Sequence, residues 1–208
     1  MPITFAKPPA GMAAALAEAL PRIGNSAMVE MRAPAISRAA SGFAMGDAMR
    51  VAVQMDDVEG ADAIATPVYV AGLDDIIKGR LCAGAKLALW AQIVPTEAGA
   101  VSAEVTASTT KFAQISNGIA NGRFRNAVTR MAAPAGEGST ADGEIAQLRV
   151  PALHMTFLWL KAKNGNDQFE PVETSMAAVK VGQRYSEKQL IDALRGPAEA
   201  AAANQGDG

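Results

Sequence analysis

Reactive side chains are scarce in this sequence. Its 208 residues include one histidine, one cysteine, two tryptophans and two tyrosines. A single cysteine closes no internal disulfide, so nothing points to an oxidising compartment. One histidine and one cysteine make no zinc site without carboxylates, and neither H-E-x-x-H nor C-x-x-C occurs, so no metal or cofactor is expected. Long apolar runs are missing too. No uncharged stretch approaches the roughly 20 residues that span a bilayer. The start, "MPITFAKPPAGMAAALAEAL", lacks the basic region and unbroken apolar core of a signal peptide. The expectation is a cytoplasmic chain with no membrane partner. Nor is there an excess of charge: 19 basic against 21 acidic residues leave a net −2, which makes nucleic acid an unlikely partner.

Half the residues are hydrophobic, as in folded proteins, but aromatics make up only 5%. Alanine supplies much of the apolar content, and the ten methionines can fill irregular gaps. The length suits a single domain. The expected organisation is one α+β domain over residues 1–196, with a subdivision left open near 95–100, and a disordered tail over 197–208.

Along the chain, Met12, Leu16 and Leu20 fall on one helical stripe that Pro21 should end. "AMVEMR", "MRVAVQM" and "TPVYVAG" read as strands, and "GLDDIIKG" as a short helix. "KLALWAQIV" and "AVSAEVTAS" form an antiparallel pair in which Val101, Ala103, Val105 and Ala107 face inward. Ser102, Glu104, Thr106 and Ser108 then face water. Residues 109–132 have rough helical spacing, but Asn-Gly pairs at 117–118 and 121–122 should split them. "YSEKQLIDALRGP" is the clearest helix, with a Ser186–Gln189 capping box and Gly196-Pro197 as its stop. Strands outnumber helices without a βαβ rhythm. The fold expected is therefore a mostly antiparallel sheet built from sequential hairpins, with a few short helices.

His154 lies in "VPALHMTFLWLKAKNGNDQFEPV", a hairpin. In a strand from Leu153 to Lys161, Leu153, Met155, Phe157 and Trp159 share the core face, and His154 shares the other with Thr156, Leu158 and Leu160. Two registers are open. A four-residue loop pairs Lys161 with Glu170 and Trp159 with Val172; an Asn164-Gly165 turn pairs Leu160 with Phe169. A catalytic histidine needs a nucleophile or an orienting carboxylate, and Cys82 is the only thiol. Cys82 follows the 73–78 helix and does not start one, so no helix dipole activates it. His154 is read as a hydrogen-bonded structural residue, with a Cys82–His154 dyad as the weak catalytic candidate. "GRLCAGAKL" nearly matches a P-loop, but Ala85 and Lys86 stand where Lys and Ser/Thr belong, and a strand follows. "DDVEGAD", residues 56–62, does not match a calcium loop and reads as a solvated turn.

One feature is unusual. From Val105 to Gly136 there is no acidic residue, while Lys111, Arg123, Arg125 and Arg130 are present and Phe124 sits between two arginines. Such a segment can hold an anionic small molecule or an acidic protein surface. The end of the chain, "VPALHMTFLWLK…FEPV" followed by "YSEKQLIDALR", resembles a recurrent bacterial domain ending to which no activity attaches. The expected function is non-catalytic binding by a homo-oligomer or accessory subunit, whose partner is itself or another protein, with Lys111, Arg123, Phe124, Arg125 and Arg130 as the contact surface. The rival is an enzyme or ligand-binding domain whose site gathers scattered residues such as His154, Tyr69 and Tyr185.

Overall fold

The computed structural model describes residues 3–25, 63–96, 99–132 and 142–205. The strand candidates at 27–32 and 49–55 and the acidic run at 56–62 lie outside these residues. The elements in chain order are β1 (Thr4–Phe5), α1 (Met12–Asn25), β2 (Ile64–Val70), α2 (Leu73–Ile77), α3 (Leu81–Gly84), β3 (Lys86–Thr96), β4 (Gly99–Thr106) and β5 (Phe112–Asn117). They continue with α4 (Ile119–Ala132), β6 (Gly143–Val150), a 3-10 turn (Pro151–Leu153), β7 (Met155–Ala162), β8 (Gln168–Glu173), β9 (Tyr185–Ser186) and α5 (Glu187–Gln205).

The fold is α+β around a nine-stranded, mostly antiparallel sheet ordered β5-β4-β3-β2-β6-β7-β8-β9, with β1 paired to β6. Chain neighbours pair within β2 to β5 and within β6 to β9. The two runs join through a parallel β2–β6 contact, so sequential hairpins do not account for the whole sheet. Pro67 shapes that junction. It has no N–H to donate, and β2 pairs with β6 only from Val68 onward. Upstream, β1 takes over alongside Glu144 and Ile145, and the Thr66 hydroxyl bonds the Ile145 carbonyl at 3.5 Å.

The sheet curls around α4. This helix packs against β4 and β3 on one side and β7 and β8 on the other. In a flat sheet β4 and β8 would stand five strand spacings apart, roughly 24 Å. A helix about 10–12 Å across bridges that span only if the sheet bends around it. Phe124, Ala127, Val128 and Met131 of α4 meet Ile93, Ala100, Ile145, Leu158, Leu160 and Val172 on the concave side. The convex side carries two further clusters. Leu190, Ile191 and Leu194 of α5, with Leu73, Ile76 and Leu81, cover Leu148, Phe157, Trp159 and Phe169. Met12 and Leu16 of α1 cover Trp90, Val94, Ala103 and Val105.

Four local expectations change. First, α1 continues past Pro21 to Asn25. Second, only the first Asn-Gly breaks the 109–132 segment: β5 ends at Asn117, while Asn121-Gly122 lies in the opening turn of α4. There the Asn121 amide bonds the carbonyls of Ser116 and Ala100, at 3.0 and 3.4 Å. Third, α5 does not stop at Gly196-Pro197, and the segment expected as a tail is helical to Gln205. Fully buried Ala198 packs into the convex core with Ala201 and Ala202 beside it, and this packing offsets the hydrogen bond that Pro197 removes. Fourth, the β7–β8 hairpin takes neither expected register: Trp159 faces Phe169 and Leu160 faces Gln168. The Asp167 carboxylate explains the shift. It accepts the Ala162 N–H at 2.9 Å and the Trp159 indole N–H at 2.8 Å, standing in for a ladder partner at the mouth of the loop.

Candidate functional site

Buried polar groups need partners, so their positions reveal where the fold tolerates chemistry. Among the described residues the buried polar side chains are Thr66, Ser102, Glu104, Gln147 and Glu170. Strand alternation puts all of them on the concave face with α4: Ser102 opposes Ile93, and Leu158 opposes both Gln147 and Glu170. The expectation of a wet face through Ser102 and Glu104 is therefore overturned. Both are fully buried, because the sheet bends over that face.

Glu104 sits at the centre of this lane. Its carboxylate accepts bonds from both terminal nitrogens of Arg149, at 2.7 and 3.0 Å. It also accepts the Gln114 amide at 2.9 Å and the Ser102 hydroxyl at 3.2 Å. Arg149 lies on β6, three spacings or about 14 Å from β4 in a flat sheet, so this pair spans β3 and β2. Arg149 also donates to Gln147 at 3.1 Å. With four donors on one carboxylate, the network is closed. It ties two halves of the sheet together and leaves no free oxygen for proton abstraction.

The two catalytic candidates from the sequence are kept apart. Cys82 follows α2 as expected but lies in the first turn of the four-residue α3, with its Sγ 3.5 Å from Asp167 and its N–H bonded to Glu187 at 2.7 Å. Burial pushes the thiol's pKa up, and the hydrogen bond and charge of Glu187 and the charge of Asp167 push it further. A nucleophilic cysteine needs the opposite surroundings. His154 does not belong to β7. It follows the 3-10 turn in a left-handed conformation (φ 50°), with its N–H bonded to Pro151 O, and its ring is exposed. Cys82 meets the Ala162 end of β7 through Asp167, and the strand's length, roughly 23 Å, separates it from His154. Tyr69 and Tyr185 do not converge on His154 either. The Tyr69 hydroxyl accepts Lys161 Nζ at 3.0 Å, and the Tyr185 hydroxyl accepts the Lys180 N–H at 2.9 Å.

The basic segment does not form one patch. Lys111 precedes β5, at the opposite end of that strand from α4. Phe124 is buried in the concave core and presents no contact surface. Arg125 lies on the flank of α4 that also carries Asn121, and its Nε is sealed from solvent without an acceptor. Arg123 and Arg130, seven residues apart and thus on one helical stripe, both point to β8. Arg123 donates to the Val172 carbonyl at 3.4 Å, and Arg130 pairs with Glu170.

Glu170 completes a group that the sequence concealed. Its side chain is 2% exposed, and a second guanidinium, that of Arg184, approaches its other oxygen at 3.7 Å. Arg184 also donates to the Arg130 carbonyl at 3.4 Å. Three arginines thus lie along one edge of α4 and β8, two of them, Arg130 and Arg184, sharing the single Glu170 carboxylate. Glu170 and Arg184 lie 40 and 54 residues from Arg130 in sequence, and only strand pairing brings them there. Arg184 also lines a cavity of about 510 Å³ between the β7–β8 loop and the first turn of α5, with Asn166, Asp167, Gln168, Ser186, Lys188 and Gln189 among its walls.

Among the described residues, no group of three or more His, Cys, Asp or Glu side chains could hold a metal ion, and no helix is long and apolar enough to cross a membrane. No family model matches the chain, and no curated protein or solved structure is significantly similar to it.

Proposed function

We propose that this chain is a non-catalytic binding protein, acting as a homo-oligomer or an accessory subunit, that engages an anionic group through Arg123, Arg130 and Arg184. The observation that carries this reading is three arginines along one flank of α4 and β8, of which Arg130 and Arg184 meet on one buried carboxylate and Arg123, on the same helical stripe, bonds the Val172 carbonyl. Glu170 holds two of them in place, and its single charge cannot neutralise all three. Pre-positioned guanidiniums lose little freedom on meeting a carboxylate or phosphate, and their planar donors match either. This narrows the contact surface from the 111–130 segment to one flank of α4 and adds Arg184.

The test is a calorimetric titration of the full-length protein with inorganic phosphate and with a short oligoglutamate peptide. At least one should bind, and Arg123→Gln/Arg184→Gln should weaken it about tenfold or more, the loss of roughly 1.4 kcal/mol. Absence of binding by both anions, or binding indifferent to the double substitution, refutes the reading.

Self-association has an observation of its own. β5 pairs on one side only among the described strands, and "FAQISN" contains neither charge nor proline to guard its free edge. Ala113 and Gln114 are exposed there. Antiparallel pairing of two copies would extend the sheet with no like charges opposed. Native mass spectrometry should show a dimer for the wild type and a monomer for Ala113→Lys. A monomeric wild type, or a dimer untouched by the lysine, removes this contact.

A further inference from the structure

The guanidinium group and the cavity beside it share Arg184, and together they define a site neither makes alone. We infer that this site takes a small phosphate monoester with a hydroxyl-rich body. The phosphate rests on Arg184, Arg130 and Arg123, and the body occupies the cavity between the β7–β8 loop and α5. The inference rests on the anion-binding reading above and names the class of ligand.

Charge comes first. Arg130 and Arg184 share the single charge of Glu170, and Arg123 stands on the same flank of α4, so this edge favours an anion whose oxygens can meet guanidinium forks. Geometry agrees. Arg184 turns its Nε edge toward Glu170, leaving the fork of its two terminal nitrogens to project elsewhere; one of them also donates to the Arg130 carbonyl. An end-on fork is the arrangement that grips two phosphate oxygens at once. Glu170 is the positioning residue, since its buried carboxylate fixes where both guanidiniums stand.

The cavity then selects the body. Its volume of about 510 Å³ falls within the usual range for small-ligand clefts. Asn166, Gln168, Ser186 and Gln189 give it an amide- and hydroxyl-lined wall suited to sugar-like hydroxyls. Two carboxylates also line it, but both engage the protein. Asp167 uses both oxygens on Ala162, Trp159 and Cys82, and Glu187 holds the Cys82 N–H. Lys188 is paired with Asp192 on its own helix, so the phosphate is assigned to the arginines.

The experiment titrates the full-length protein with glucose 6-phosphate, inorganic phosphate and glucose. It repeats the titrations with Arg184→Gln, and with Asn166→Trp to fill the β7–β8 loop side of the cavity while keeping all three arginines. The expected result is that glucose 6-phosphate binds about tenfold or more tighter than inorganic phosphate, and glucose alone not detectably. Asn166→Trp should abolish that advantage and leave inorganic phosphate unchanged, while Arg184→Gln should weaken both. Equal binding of the two phosphates, or no effect of the tryptophan, overturns the cavity assignment and leaves the anion-binding reading standing. Oligoglutamate binding with no binding of either phosphate overturns the inference in favour of an acidic protein surface. No binding of any of these anions takes down both.

Discussion

Replacing Arg149 with methionine tests the curled sheet directly. In the native fold the Glu104 carboxylate accepts four hydrogen bonds, two of them from Arg149, across two intervening strands. Arg149→Met leaves a fully buried carboxylate with only the Ser102 and Gln114 donors. Removing one member of a buried ion pair costs about 3–5 kcal/mol, because the other charge stays desolvated. The Arg149 side chain is 20% exposed, so solvent already screens the pair in part, and we take the low end, about 3 kcal/mol. For a chain of this size that is a fall in Tm of about 6–12 °C. Glu104→Met should cost less, about 2 kcal/mol, since the freed guanidinium can turn toward water. The double variant Glu104→Met/Arg149→Met replaces the pair with apolar side chains of similar volume. It should sit within about 1–2 kcal/mol of the wild type, mainly through the lost Ser102 and Gln114 bonds. The coupling energy is then about 3–4 kcal/mol. Urea unfolding with a common slope supplies all three values. If Arg149→Met shifts stability by less than about 0.5 kcal/mol, or if the double variant equals the sum of the singles, the two side chains do not meet.

Asp167→Ala removes the acceptor of the Trp159 indole and the Ala162 amide. It should cost about 2–4 kcal/mol by urea unfolding and change the cross-strand contacts of Trp159 in NMR spectra; a cost below about 0.5 kcal/mol would mean another group sets the hairpin register. Native Cys82 should resist alkylation until the pH is well above that for an ordinary thiol, and Glu187→Gln should move the onset down. The sign for stability follows: the raised thiol pKa contributes stability below the ordinary thiol value, and that contribution falls as the pH rises above it. Rapid alkylation of the folded protein at neutral pH would contradict the surroundings assigned to this thiol. Gly143→Ala and Gly122→Ala should act in opposite directions under thermal unfolding. A Cβ at Gly143 would stand 2.5 Å from the Lys161 carbonyl oxygen, costing about 1–3 kcal/mol, whereas nothing lies within 4 Å of one at Gly122 in α4, where alanine should gain about 0.5–1 kcal/mol.

Much of the fold was legible locally. The alternation through 101–107 located β4 and the strand that pairs with it, and the Ser186–Gln189 capping box located the start of α5, where the predicted bonds form. The core face of β7 through Met155, Phe157 and Trp159 was also legible, because strand geometry alone sends alternate residues to opposite faces. Where packing overrode local chemistry, the sequence misled. Gly196-Pro197 is a stop signal, yet the buried Ala198 carries the helix through it. The polar side of β4 has the pattern of a solvated face, yet it lies buried against partners from β5 and β6.

The candidate site was legible only in part. The missing acidic residues between 105 and 136 drew attention to Arg123 and Arg130, which do lie on the charged flank. The same signal drew in Phe124, now core, as well as Lys111 and Arg125, which lie elsewhere. Glu170 entered the sequence reading only as a cross-strand partner for Lys161, and nothing in the chain's order tied it or Arg184 to the arginines of α4.

The sequence by itself determined the type of the more periodic segments, though not of β5, β6 or α3, together with the antiparallel bias of the sheet and the poverty of reactive groups. Those properties depend on side-chain type and on spacing along the chain. Tertiary structure alone decided the bend of the sheet around α4, the parallel join at Pro67, the hairpin register under Asp167, and the meeting of Arg130 and Arg184 at Glu170. Each of these depends on which distant strands lie side by side, and a carboxylate at residue 104 or 170 carries no local record of the guanidinium that will neutralise it.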